Sequence, residues 1–391
     1  MSASSLLTRT QEYWLAVAAG VVTANAYYIH PIIGDVAAHF GVSEARIGLV
    51  PALNQLALAV GILLLLPLGD RYSNKRLTII FAIGQTISLA VMTLAGSFAA
   101  FTTGSTLLGF FTIAPYLLPA YASKRVAQER LGQVTALLTA GVILGILVAR
   151  VGAGWVAEHY GWRSVYWIAT GMMVAITLAL PRLMESGERG PGATRYWPLV
   201  FSVFALARQN REVLLSGAIQ ALNFAQFIAL WLALALYLTA PPLDYGTDTV
   251  GYLAAIAAVS ILSTPRLGRW ADEVGPRKAR LVFAVVQFLG IALFWPFAGS
   301  LWGLLVPLVL VNLVGPGIDV TGRMTFLTLE PQLRTRLTTA YIVLMFVGGG
   351  LGSIGGTGVY DAYGWGGVCV LLALLSATLT TMCWLGTKFG R

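Results

Sequence analysis

The chain has 391 residues, of which 57% are hydrophobic and only 10% charged, with a mean hydropathy of +0.78. A soluble domain draws about a quarter of its residues from Asp, Glu, Lys and Arg, so these few charges cannot cover a water-facing surface, and lipid is the expected solvent. The net charge of +9 is distributed over short loops, which argues for contact with a membrane surface and against nucleic acid.

Met1 to Gln11 is short and mildly basic, and no small-residue cleavage site follows it. Beyond it come apolar runs of about 20 residues, each long enough to cross ~30 Å of hydrocarbon as a helix. The expected spans are 13–33, 48–68, 77–96, 99–122, 132–156, 163–182, 213–239, 250–268, 280–296, 302–323, 337–358 and 365–386. Helices satisfy their own backbone inside a bilayer, so the fold class is an all-α membrane protein with twelve transmembrane helices. Most connections are short and force antiparallel neighbours. The exception runs from Arg182 to Arg211 and contains Gly187, Gly190, Pro191 and Gly192. The expected organisation is therefore an N-terminal six-helix bundle (1–182), a cytoplasmic linker (183–212) and a C-terminal six-helix bundle (213–391). Cys369 and Cys383 both fall in the last apolar hairpin and read as buried filler.

Loops after even-numbered spans carry the basic residues, among them Arg71, Lys75, Arg76, Lys124, Arg125, Arg208, Arg277 and Lys278. The opposite loops keep Asp35, Glu44, Glu158, Asp244, Asp248 and Asp361. Lys and Arg favour the cytoplasmic side, so both termini of the multi-pass chain are expected there.

Polar groups at apolar depth need partners in protein, water or substrate. Span 1 carries Asn25, Tyr27, Tyr28 and His30, then Pro31; span 2 carries Asn54 and Gln55. Gln220, Asn223 and Gln226 recur about once per turn as a stripe on span 7, and Gln287 and Asn312 extend the set. His30 is expected near the external mouth, either as a hydrogen-bonded rim residue or as a group that senses protons. Asp319, four positions before Arg323, reads as half of a pair within one helix. In span 5, Arg150 interrupts a run of small residues, Gly141, Gly145, Gly152 and Gly154, that permits close helix packing. Interhelical pairing, interfacial anchoring and a substrate or coupling role are all open to that arginine.

An internal repeat organises the chain. GDRYSNKR at Gly69–Arg76 matches ADEVGPRK at Ala271–Lys278, with Asp70, Lys75 and Arg76 displaced by 202 positions onto Asp272, Arg277 and Lys278. Tyr160, Gly161 and Trp162 return 203 positions later as Tyr363, Gly364 and Trp365. Two similar bundles in the same orientation around a path are a recurring plan for alternating-access transporters.

With these motifs the chain resembles the major facilitator superfamily, in particular its bacterial arabinose-efflux or multidrug-like permeases, over nearly its whole length. The loop signature after span 2 is matched by Asp70, Arg71, Lys75 and Arg76, with Leu66 and Ser73 in place of two of its glycines. Its counterpart after span 8 is fuller: Gly268, Asp272, Gly275, Arg277 and Lys278. The resemblance implies the major facilitator fold, two six-helix bundles with pseudo-twofold symmetry, and a gating role for these loops. It also places spans 1, 4, 7 and 10 around the central cavity. The family's antiporter-type fifth helix has a glycine-rich pattern with a Gly-Pro pair; here the small residues are present and the proline is absent.

The function expected from this resemblance is secondary active export of a small organic or drug-like solute, with proton antiport as the coupling and no cofactor. Uptake or uniport by the same fold, and a receptor or assembly protein that does not transport, are the alternatives. No nucleotide-binding loop or compact catalytic constellation points to an enzyme. The expected partners are a small-molecule substrate and the lipid bilayer, with no nucleic acid, and the chain is expected to work as a monomer.

Overall fold

The computed structural model describes residues 6–185, 196–327 and 331–389. Among them the long apolar helices are Arg9–Phe40, Glu44–Gly69, Asn74–Leu94, Phe98–Ser123, Leu131–Tyr160, Trp162–Leu183, Arg211–Thr239, Thr247–Val274, Pro276–Phe297, Leu301–Phe326 and Arg334–Lys388. The last is two helices joined at Gly364, whose φ of 61° and ψ of −162° break the helical path. Counted so, they are spans 1 to 12, and a further helix, Tyr196–Gln209, lies in the expected linker.

The repeat is visible in the backbone. Gly161 turns span 5 into span 6 at φ 79°, and Gly364 turns span 11 into span 12 at φ 61°, each just before a tryptophan. Side chains rarely adopt this region, so glycine is required at both turns. The other repeated turn is built in two ways. Gly275 makes it at φ 92° in the second half, whereas Ser73 stays at φ −65° and caps span 3 by accepting the Arg76 N–H on its hydroxyl. Serine thus replaces a backbone requirement with a side-chain hydrogen bond.

Span 1 is not the single helix expected. It runs as Arg9–Ala24, loosens at Asn25–Tyr28, and resumes as Ile29–Phe40. Pro31 has no N–H to give the Tyr27 carbonyl, and its ring crowds that group; His30 N–H donates to it instead at 3.2 Å. Span 4 is likewise interrupted at Thr112 and Ile113, immediately before Pro115.

The two halves meet chiefly through spans 2 and 11 and through spans 5 and 8, toward one end. There the Ser353 hydroxyl donates to the Gly48 carbonyl at 2.7 Å. Glu158 accepts the Thr247 N–H at 2.9 Å, capping span 8 from the other half. The repeated basic turns lie at the opposite end. The linker helix is tied back to the first half by Tyr196, whose hydroxyl donates to the Leu64 carbonyl at 2.5 Å.

Candidate functional site

Spans 1, 5 and 7 bring a compact group together at the centre. The Arg150 guanidinium carbon lies 3.6 Å from the Trp231 ring centroid and 5.5 Å from that of Phe227. Tyr27 and His30 have ring centroids 5.2 Å apart, His30 lies 6.4 Å from Phe227, and Arg150 is within electrostatic reach of both Tyr27 and His30.

Arg150 is only 2% exposed, so it does not anchor at a lipid interface. Nor does it form an ion pair or hydrogen bond among the described residues, and its Nε is enclosed without a partner. The interhelical contact is made to aromatic rings. A desolvated cation–π contact offsets ~2 kcal/mol, less than the several kcal/mol that burying an ion costs. His30 also departs from expectation: it is buried, and neither ring nitrogen has a hydrogen-bond partner, so it is no hydrogen-bonded rim residue. The amide groups of Asn25 and Gln55 are both buried without partners as well.

The span 7 stripe has the opposite character. Asn223 Nδ2 donates to Gln220 Oε1 and to the Gly315 carbonyl, each at 3.1 Å, while Gln287 Nε2 donates to Asn223 Oδ1 at 3.0 Å. Gln226 donates to the Leu222 carbonyl, and Asn312 turns back to the Leu308 carbonyl of its own helix. Asn54 joins spans 2 and 4 by donating to the Ser105 carbonyl at 2.7 Å. Tyr28 lines an apolar groove of about 560 Å³ that is also lined by Gly141, Gly145 and Gly152. Exposed Tyr13, Val17, Leu144 and Val148 wall that groove, so it opens on the apolar outer surface and not at the centre.

Asp319 and Arg323 pair within span 10, with Nε 3.0 Å from Oδ1, and the Tyr341 hydroxyl donates to the same oxygen at 2.8 Å. Tyr116 of span 4 stands within electrostatic reach of this pair and of Tyr27. Among the described residues no group of His, Cys, Asp and Glu has the makings of a metal site.

Several central residues were not singled out by sequence. Gln85 is fully buried and donates to the Val22 carbonyl at 3.2 Å and to the Thr112 hydroxyl at 2.6 Å. It therefore bridges the interrupted parts of spans 1 and 4. The repeat holds the missed signal: Phe81, Ala82 and Gln85 lie 202 positions before Phe283, Ala284 and Gln287. Phe227 and Trp231, four residues apart on one helix face, read in sequence as ordinary apolar residues.

Lys75 donates to the Pro181 carbonyl at 2.8 Å, and Arg277 pairs with Glu212 at 2.6 Å, so each contact stays within its own half. Arg71, Arg76, Asp272 and Lys278 are exposed, and Asp272 has no ion pair among the described residues. The expectation for the Asp70 side chain lies outside the described residues.

Of the span 5 glycines, a Cβ on Gly141 would meet the Ala16 carbonyl, one on Gly145 the Gly20 carbonyl, and one on Gly154 the Thr247 carbonyl across the two halves. Gly152 is a correction: a Cβ there meets nothing within 4 Å, so its size is not demanded by a packed neighbour.

The family profile of the Major Facilitator Superfamily matches residues 15–328. The transporter YgaY of Escherichia coli O157:H7 is 28% identical over 372 residues, covering 95% of this chain and 94% of its own. A multidrug resistance protein, MdtG of Serratia proteamaculans, is 24% identical over 330 residues, 81% of this chain and 78% of its own. Among solved structures, a variant of the nucleoside transporter NupG superposes with a TM-score of 0.78 at 15% identity, covering 97% of this chain and 100% of its own. A bacterial homologue of the human lysosomal transporter Spinster, inward-facing and occupied, gives 0.76 at 14% identity, with 96% of each chain covered. The arrangement of apolar helices thus has its counterpart in the fold of solved transporters, and the chain belongs to the Major Facilitator Superfamily.

Proposed function

We propose that this transporter exports a small organic solute by alternating access, using the proton gradient as its energy source and no cofactor. In this reading it works as a monomer in a bacterial inner membrane, with both termini cytoplasmic. The observation that carries the proposal is the asymmetry of the interface. The halves join at the end bearing Glu158, Thr247, Gly48 and Ser353, while at the other end Lys75 bonds the Pro181 carbonyl and Arg277 pairs with Glu212, each contact within one half. The closed end then faces outward, and solute enters from the cytoplasm to the centre around Arg150. Similarity to MdtG, a multidrug resistance protein, favours export over uptake. Proton exchange would use the Asp319–Arg323–Tyr341 group, the carboxylate set within span 10.

Purified protein in sealed proteoliposomes, offered a chemically diverse solute panel with and without a proton gradient, tests this reading. Net movement that steepens with the gradient and runs against it supports antiport export. Gradient-independent movement removes the coupling, movement in the opposite direction turns export into uptake, and binding without movement across the panel defeats transport.

A further inference from the structure

We propose that the enclosed centre between spans 1, 5 and 7 binds the carboxylate of a small organic anion, with Arg150 as its counter-charge. In this proposal Trp231 and Phe227 form the wall against which the anion's apolar body rests. The inference rests on the transport reading only in making that anion the cargo.

Arg150 is buried, fixed by its stack on Trp231, and has no oxygen to hold. Two other arginines each hold an oxygen: Arg280, equally buried, keeps one such bond although its Nε and Nη2 are unpartnered, and Arg323 is part-exposed. Arg280 donates to the Ser216 hydroxyl at 2.8 Å, and Arg323 holds both oxygens of Asp319. A residue needed only to staple spans 5 and 7 would be as well served by Met or Leu, which fill the same space without desolvating a charge. A guanidinium covered on one face by an indole still has its N–H groups in its own plane, the edge that a carboxylate meets with two oxygens. His30, whose ring nitrogens are also unpartnered, lies against the same Phe227 ring as Arg150, and in this proposal it bonds the same carboxylate.

The chemical class follows from the charge count. One cation without an acidic partner balances one negative charge, which suits a monocarboxylate better than a phosphate dianion. The wall sets the rest of the ligand. Phe227 stacks on Phe224 at 5.8 Å with an interplanar angle of 10°, and Phe224 meets Phe346 of span 11 edge-on at 5.6 Å. The apolar surface therefore continues away from the arginine, and the anion is expected to carry an aromatic or extended apolar body.

Calorimetric titration of the purified full-length protein in detergent tests the proposal. The probes are a matched trio, indole-3-acetate, indole-3-acetamide and tryptamine, together with benzoate and acetate. The acid is expected to bind at least tenfold more tightly than the amide and the amine, and acetate more weakly than either aromatic acid. Arg150→Lys should weaken indole-3-acetate at least fivefold, and Arg150→Met should abolish the preference for acid over amide. If Arg150→Met does not fold, Trp231→Leu still tests the site: it should bring indole-3-acetate toward acetate in affinity while the acid still outranks the amide. The proposal is overturned if the amide or amine binds as well as the acid, if the preference survives Arg150→Met, if Trp231→Leu changes nothing, or if none of the acids binds. Acid binding of this pattern without net movement in sealed vesicles would sink the transport reading and leave the site. Movement of neutral or cationic solutes by a protein that binds no acid would do the reverse.

Discussion

The centre around Arg150 and the stripe around Asn223 are both polar, both buried and both set among apolar helices, yet their hydrogen bonding is opposite. Asn223 donates to Gln220 and to the Gly315 carbonyl and accepts from Gln287, so both ends of its amide are bonded, and among the enclosed atoms of this network only Gln287 Oε1 is left without a partner. Asn25, His30, Gln55 and Arg150 contain enclosed polar atoms with no protein partner. A satisfied network holds helices together, whereas unsatisfied groups raise the free energy of the folded chain until something else bonds them. The contrast suits the second-half stripe to architecture and supports the recognition role proposed for the centre that joins spans 1, 5 and 7.

The most forceful way to break this comparison is Arg150→Met. Transport should fall by about 100-fold, since the site loses about the worth of a buried charge-assisted contact. Thermal stability should change by less than ~1 kcal/mol or rise, because an uncompensated cation has been removed. A large loss of stability, read by thermal unfolding of the purified variant, would make Arg150 a structural residue and dissolve the distinction.

Gln287→Leu probes the other side. It leaves the Asn223 carbonyl oxygen without its donor, and the expected cost is ~1–2 kcal/mol, the upper part of the range for polar contacts between membrane helices. Solute affinity should stay within about threefold, as expected of a group that holds helices in place. Its repeat partner gives the sharper readout. Gln85→Leu releases the Val22 carbonyl and the Thr112 hydroxyl beside the interruptions of spans 1 and 4, so affinity should suffer more than stability.

A double-mutant cycle on Asp319→Asn and Arg323→Gln should return a coupling of ~1 kcal/mol, the scale of a partly exposed ion pair. Side chains about 30% and 27% exposed are not expected to give more. A coupling near zero would remove the pair as the counterexample to Arg150. The smallest effect is expected from Gly152→Ala, which should leave stability within ~0.5 kcal/mol and transport unchanged, since the added methyl meets open space. A marked defect there would mean that lesions in span 5 act through packing in general, and the Arg150 result would lose its specificity.

How much of this was readable beforehand depends on the residue. Gly161 and Gly364 announce matching turns because only glycine takes their positive φ readily, and the offset between Asp70 and Asp272 shows where the chain repeats. The gap between Asp319 and Arg323 specifies their pairing, because four residues on a helix place side chains on one face. By contrast, the run Asn25 to His30 reads only as polar residues before a proline, and nothing local distinguishes the unpartnered His30 from the satisfied Asn223. Trp231 is one apolar residue among many until the fold sets it 3.6 Å from Arg150.

By itself, the sequence determined the membrane as solvent, the number and order of spans, the two-bundle repeat and the family. These follow from hydropathy, charge placement and helical periodicity, which are properties of neighbouring residues. Only the tertiary structure decided which buried polar groups are paired, which end of the interface is joined and which ring covers Arg150. Those depend on atoms far apart in the chain, brought within a few ångströms by the packing of spans 1, 5 and 7.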